Sequence, residues 1–224
     1  KIIHAVAGYS YDQLLAVLER LVIERRVNKR TSPDGYYTLY NYASIVSTKW
    51  GDEPIMTIAR GFVIDSIKKK IVALPFPKFF NHNEHPPTGG YDDHEILSVE
   101  TKHDGSLGIM FYDEYNDNWR MITRGSFTSP QAKWGMEHLL RVSGANISIL
   151  DKTNTYLFEI ICPESKVVVL YDTDQLRLLS AYNNITFEEV SRSILENIAG
   201  LIGCPIVERH DDLNTIPKIM EKLS

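Results

Sequence analysis

In the stretch YSYDQLLAVLERLVIERRV, Leu14, Leu15, Leu18 and Leu21 recur at the three-and-four spacing of one helical face. Ser10 and Gln13 stand three residues apart at its start, the spacing of a capping box, in which each side chain bonds the other residue's backbone N–H. This predicts an amphipathic helix. After the turn SPDG come YYTLYNYASIV, TIARGFVIDSI and KKKIVALPF, rich in β-branched and aromatic residues and separated by polar breaks. They read as antiparallel strands. The polar loop NHNEHPPTGGYDDHE follows, then ILSVE, LGIMFYDE and WRMITRG, the last two joined by the hairpin-like YNDN.

A helix is expected over about residues 129 to 143, then strands at TYLFEII, KVVVLYD and LRLLSAYN, then a helix over about 186 to 199. At the end, LNTIPKIMEKLS puts Ile216, Ile219, Met220 and Leu223 along one helical face. Strands outnumber helices and short turns join them. The expected class is α+β, mainly antiparallel sheets flanked by helices. No internal repeat or linker interrupts residues 1–224, which read as one domain.

Of the 224 residues, 43% are hydrophobic and 24% charged, enough to bury a substantial core. No run of 18 apolar residues occurs, and the first residues lack a secretory leader's apolar core and cleavage site. The expectation is a soluble, cytoplasmic protein without a membrane partner. Cys162 and Cys204 lie in different segments without a Cys-x-x-Cys partner, which argues against a disulfide framework or thiolate zinc site. A net charge of −5 argues against indiscriminate nucleic-acid binding, yet leaves room for one basic cleft.

The candidate chemistry lies in SVETKHDGSLGIMFYDEYNDNWRMITRGSF. Lys102 ends a strand-like run, Gly105 can take backbone angles that a side chain forbids, and Asp104 can bond within the turn or face a metal. An amine held so becomes a nucleophile when nearby cations or desolvation keep part of it uncharged. A turn with a solvated lysine would give the same four residues.

Lys-x-Asp-Gly at 102–105 resembles motif I of the covalent nucleotidyltransferases, the superfamily of ATP-dependent DNA and RNA ligases and mRNA capping enzymes. TRGSF resembles motif Ia, YLFEII motif III and LRLLSAYN motif IIIa, in the family's order. Upstream, ARGFVI and FPKFFNHNE resemble the stretches that precede motif I in the RNA ligase 1 family of T-even-type phages, and FEIICPESKVVVLYD follows that family's motif III pattern. Together the matches cover roughly residues 35 to 210.

The resemblance implies the nucleotidyltransferase fold and an ATP-dependent RNA ligase, with Mg2+ as cofactor. It implies that Lys102 takes AMP from ATP and passes it to an RNA 5'-phosphate, and that a 3'-hydroxyl then displaces AMP to seal the strand, in tRNA repair. It maps Arg60 and Lys78 onto the triphosphate and Arg124 onto ribose and phosphate. Glu159 falls on the ribose or a metal-bound water, Leu179 on the base and Glu100 on the adenine. Asp104 and Glu159 are the candidate metal ligands. Arg60 could instead pair with a carboxylate across strands, Leu179 could be ordinary core, and Glu100 an exposed strand position. A DNA ligase or capping enzyme, and a nucleotide- or RNA-binding module without chemistry, are the alternative readings.

In the loop NHNEHPPTGGYDDHE, the pair His82-x-x-His85 suggests a metal site, but its prolines and glycines offer no helix to set ligand geometry. The superfamily's motif IV, of the Glu-Gly type, and motif V, a Lys-x-Lys strand, have no evident counterpart. Lys218 and Lys222 lie at helical spacing and read as a solvated helix edge. The expectation is that a C-terminal segment or second chain supplies motifs IV and V, and that these residues alone adenylylate Lys102 slowly or not at all.

Overall fold

A computed structural model describes residues 6–43, 53–80, 96, 98–162 and 175–223. They group into two compact units, Lys1–Lys78 with Asp104–Ile206, and Phe79–His103 with Val207–Ser224.

The first unit opens with helix α1, Tyr11–Ile23, which starts with the expected capping box and buries Leu14, Leu18 and Leu21. The helix ends earlier than its apolar pattern suggests. Arg25 takes a left-handed φ of 58°, and the chain enters strand β1, Val27–Thr31. Only Val27 of β1 is buried, so no alternation announces this strand.

β1 begins an antiparallel sheet with β2 (Tyr37–Tyr42), β3 (Arg60–Asp65) and β4 (Lys70–Ala73), in that order. Thr57 and Ile58, expected in a strand, instead belong to a 3-10 turn over Pro54–Ile58. Glu53 caps it by accepting from the Ile55 N–H, and Pro54 fits its first position. The second sheet has the order β6-β5-β7-β8, with β5 Ser106–Asp113, β6 Asn118–Thr123, β7 Asn154–Ile161 and β8 Gln175–Asn183. Helix α2, Pro130–Ser143, matches its expected span. Helix α3 runs over Arg192–Ile202 rather than from about 186. Phe187 has φ 62°, Glu189 bridges back to Tyr182, and the Val190 N–H donates to the Ala181 carbonyl, so the chain follows β8 before turning into the helix. The expected strand at 166–172 and the His82/His85 loop lie outside the described residues.

Alternation sorts the second sheet's side chains onto two cores. Ile109, Phe111 and Leu157 join α1 and the first sheet, around Leu39, Phe62 and Val63. Met110, Tyr156, Phe158 and Ile160 face the other way, onto Leu139 of α2 and Leu195, Ala199 and Ile202 of α3. The architecture is therefore α+β with two antiparallel sheets, as expected. No helix among the described residues is long and apolar enough to cross a membrane.

Where β5 turns into β6, Asp113 is 1% exposed. It accepts from the Tyr37 hydroxyl at 2.8 Å, the Asn116 side-chain amide at 2.8 Å, and the backbone N–H groups of Tyr115 and Asn116. Burial, then this carboxylate, push the Tyr37 hydroxyl far above its ordinary pKa. Asp113→Ala strands these donors, and the expected cost is about 3 kcal/mol in chemical denaturation. A loss under about 1 kcal/mol would mean that the donors find other partners.

In the second unit, the segment 98–103 meets 208–210 through an isolated antiparallel bridge between Glu100 and Arg209. Helix α4, Ile216–Leu223, follows.

Candidate active site

Asp104 and Gly105 begin the return of the chain into the first unit, at the mouth of β5. There β5 pairs with β7, with Ser106 opposite Ile160 and Leu107 opposite Glu159. A Cβ on Gly105 would lie 2.4 Å from the Ile160 carbonyl oxygen and 3.0 Å from Glu159 Oε1. Only a glycine allows that approach. Glu159 is half-buried in a strand of otherwise buried residues. It shares the parity of Leu157, which faces the first sheet, and its partner on β8 is Arg177. A carboxylate thus opens at the end of the inter-sheet core.

At the same end of the second sheet, Arg124 follows β6, whose Thr123 pairs with Gly108. Gly61, with φ 99°, lets β3 pass close by: a Cβ there would lie 2.3 Å from Ile109 Cδ1 and 3.1 Å from Arg124 Cα. Arg60 and Arg124 are in consequence neighbours. Burial lowers the pKa of the Arg60 guanidinium, Tyr42 opposes this, and the charge of Arg124 adds to it. Arg124 itself is exposed. Its Nη1 donates to the Tyr42 hydroxyl at 2.8 Å, and its guanidinium carbon lies 4.9 Å from the Tyr42 ring centroid. Arg60 Nη1 donates to the Pro77 carbonyl at 3.3 Å, while the Lys78 N–H donates to the Thr57 carbonyl at 2.7 Å. The segment carrying Lys78 is therefore fastened beside Arg60. Two arginines gathered so, with the backbone of Lys78 fastened beside Arg60, suit an anion such as a phosphate.

Leu179 is half-buried and packs against the first core. Among the described residues no group of three His, Cys, Asp or Glu could hold a metal. Mg2+ does not require one, since it commonly takes one or two carboxylates together with substrate phosphates and waters. Exposed Asp104 and half-buried Glu159 fit that donor chemistry. Both cysteines are buried, and burial pushes the Cys204 thiol up to about 12, unsuited to nucleophilic attack.

Lys102 and Glu100 belong to the second unit, and both are exposed. Each neighbour of Lys102 is anchored. The Thr101 N–H donates to the Glu208 carbonyl at 3.0 Å, and Thr101 Oγ1 lies 2.8 Å from His210 Nε2. His103 Nε2 lies 2.8 Å from Glu208 Oε2. These anchors hold the lysine's backbone in place. The sequence gives no sign of Glu208 or His210, because VERHD is polar and lacks strand periodicity. Nor does it point to Tyr42 or Arg177, which only the hydrogen bond from Arg124 and the cross-strand register with Glu159 reveal.

The profile of a family described as RNA ligase matches residues 58–224. A protein of Thermovibrio ammonificans, provisionally named an RNA ligase, is 30% identical over 153 residues, covering 65% of this chain and 40% of its own length. A protein of Autographa californica nuclear polyhedrosis virus, provisionally named a bifunctional polynucleotide kinase/RNA ligase, is 29% identical over 169 residues, covering 65% of this chain and 24% of its own length. This chain thus spans under half of either relative. Among solved structures, an archaeal ATP-dependent RNA ligase superposes with a TM-score of 0.58 at 14% identity, over 90% of this chain and 53% of that one. A provisionally named ATP-dependent DNA ligase from Aquifex aeolicus gives 0.57 at 18% identity, over 93% and 55%. At such identities these two establish the shared nucleotidyltransferase fold.

Proposed function

Because the chain belongs to the RNA ligase family, we propose that it joins RNA ends at the expense of ATP through a lysyl-AMP intermediate on Lys102. The neutral Nζ attacks the α-phosphorus, a P–N bond forms, and pyrophosphate leaves. An RNA 5'-phosphate oxygen then takes the AMP from the lysine. A 3'-hydroxyl attacks that activated phosphate, AMP departs, and a phosphodiester remains. Broken tRNA is the proposed natural substrate class.

Arg60, Lys78 and Arg124 bind the phosphates in this reading, and their field favours the uncharged form of a nearby amine. Glu100 contacts the adenine and Leu179 packs on the base. Asp104 and Glu159 would hold Mg2+, which when bound would neutralise phosphate charge. The observation that carries the reading is Gly105. The turn that follows Lys102 is glycine where a single added carbon would strike the Glu159 carboxylate and its strand. A solvated surface turn has no such requirement, whereas a motif I held against motif III does.

The test is sealing of a 5'-phosphorylated single-stranded RNA with ATP and Mg2+, with and without an added polypeptide carrying motifs IV and V. Circular or joined RNA is expected with ATP when that polypeptide is present and little or none without it, and none with GTP or with DNA ends. Efficient joining of DNA but not RNA would overturn the proposed substrate.

A further inference from the structure

A groove of about 300 Å³ opens in the first unit at the end remote from Gly105 and Glu159. Tyr112, which lines it, follows Ser106 by six strand positions. At the rise of an antiparallel strand that is about 20 Å. We propose that this groove grips the RNA strand a few nucleotides away from the end being joined, as a single-strand subsite. The proposal rests on the RNA-ligase reading for the identity of its ligand.

Three observations support it. The groove and its rim carry Lys68, Lys69, Lys70 and Lys152 against Asp12, Glu114 and Asp117, a small cationic excess in a chain whose net charge is −5. A local cationic excess in an acidic protein draws a polyanion to one place. Lys70 shares the Glu114 carboxylate with Lys68, and Lys152 donates to the Tyr112 hydroxyl at 2.8 Å, so Lys69 is the loosely held cation of the three. Lys69 meets Asp12 at 3.3 Å, with the two side chains 65% and 74% exposed, and such a pair holds its cation weakly.

Aromatic faces stand beside the cations. Lys152 Nζ lies 4.0 Å from the Tyr112 ring centroid, and Tyr9 and Phe187 share the lining. Stacking faces interleaved with cations are how proteins hold unpaired bases, whereas a duplex keeps its bases stacked inside.

Backbone strain also gathers here. Among the described residues, four non-glycines have positive φ: Arg25, Lys69, Asp117 and Phe187. Lys69 and Phe187 line the groove, and Asp117 accepts from the Tyr112 hydroxyl. For a bulky residue such as Phe187 that conformation is rare and costly, and strain of this kind clusters at binding sites.

The test compares the unaltered protein, Lys69→Ala/Lys152→Ala and Tyr9→Ala, all checked for unchanged thermal unfolding. Fluorescence anisotropy reads binding of a single-stranded RNA of about 12 nucleotides, within the usual span of single-strand sites. A dinucleotide and an RNA duplex serve as comparison ligands, each over a range of salt.

The double variant is expected to bind the longer strand about tenfold more weakly, with the slope of log affinity on log salt smaller by about 1.4, or about 0.7 per lost phosphate contact. Tyr9→Ala should weaken binding about fivefold, since it removes one stacking face and no charge, and should leave that slope unchanged. Dinucleotide binding should not change. The proposal is overturned by unchanged binding of the longer strand, by no measurable binding to the unaltered protein, or by an equal loss for the duplex or dinucleotide. Formation of lysyl-AMP from ATP alone is followed in parallel. If RNA binding falls as expected while the unaltered protein never carries AMP even with a polypeptide carrying motifs IV and V added, the groove stands and the ligase reading fails.

Discussion

Lys102→Ala is expected to abolish covalent attachment of AMP while leaving the fold intact. The side chain is exposed, so its removal should change stability by no more than about 0.5 kcal/mol. The anchors on either side of it, Thr101 with His210 and His103 with Glu208, do not involve the lysine amine and should persist. The chemical loss should be complete, because alanine offers no lone pair to attack the α-phosphorus. A guanidinium stays protonated and offers no lone pair, so Lys102→Arg should fail equally. Radiolabelled ATP followed by a denaturing gel reads the adduct, and denaturation curves read the fold. Undiminished labelling of either variant would remove Lys102 from the mechanism.

Arg60→Ala is expected to slow lysyl-AMP formation by about 10²–10³-fold, the usual cost of losing one preorganised donor to developing charge. The size of the effect follows from the surroundings of Arg60. Its guanidinium is partly withdrawn from water beside Arg124, which destabilises its charge, and an anionic phosphate placed between the two would relieve both penalties. Arg60→Lys keeps the charge but loses the planar fork and the reach to the Pro77 carbonyl, so an intermediate loss of about tenfold is expected. Single-turnover labelling gives these rates. A rate within a factor of about two of the unaltered protein for Arg60→Ala would return this residue to a structural role.

Much of the fold was written in local periodicity, and its failures have local causes. The capping box of α1 forms with the Ser10 N–H donating to Gln13 Oε1 at 2.9 Å and the Gln13 N–H to Ser10 Oγ at 3.2 Å. The strand TYLFEII became β7, and LRLLSAYN lies within β8. β1 escaped because four of its five residues face solvent, which leaves no hydrophobic alternation to read. The late start of α3 escaped because nothing in the residue type predicts a phenylalanine at φ 62°.

The candidate site was legible where a residue's chemistry conflicts with its surroundings. Glu159 interrupts an apolar strand, and Gly105 follows an aspartate at a strand mouth. It was illegible where function depends on pairing across distant segments. Tyr42 supports Arg124 from 82 residues away, and His210 meets Thr101 across 109. Such partners come from strand register and tertiary pairing, which a single sequence does not display.

The most direct measurement is mass spectrometry of the protein digested after incubation with ATP, Mg2+ and a polypeptide carrying motifs IV and V, under conditions that preserve the acid-labile P–N bond. The account predicts one AMP group, carried by the peptide containing Lys102 and lost in Lys102→Ala. AMP on any other residue, or ATP bound and consumed with no adduct on Lys102, would contradict it.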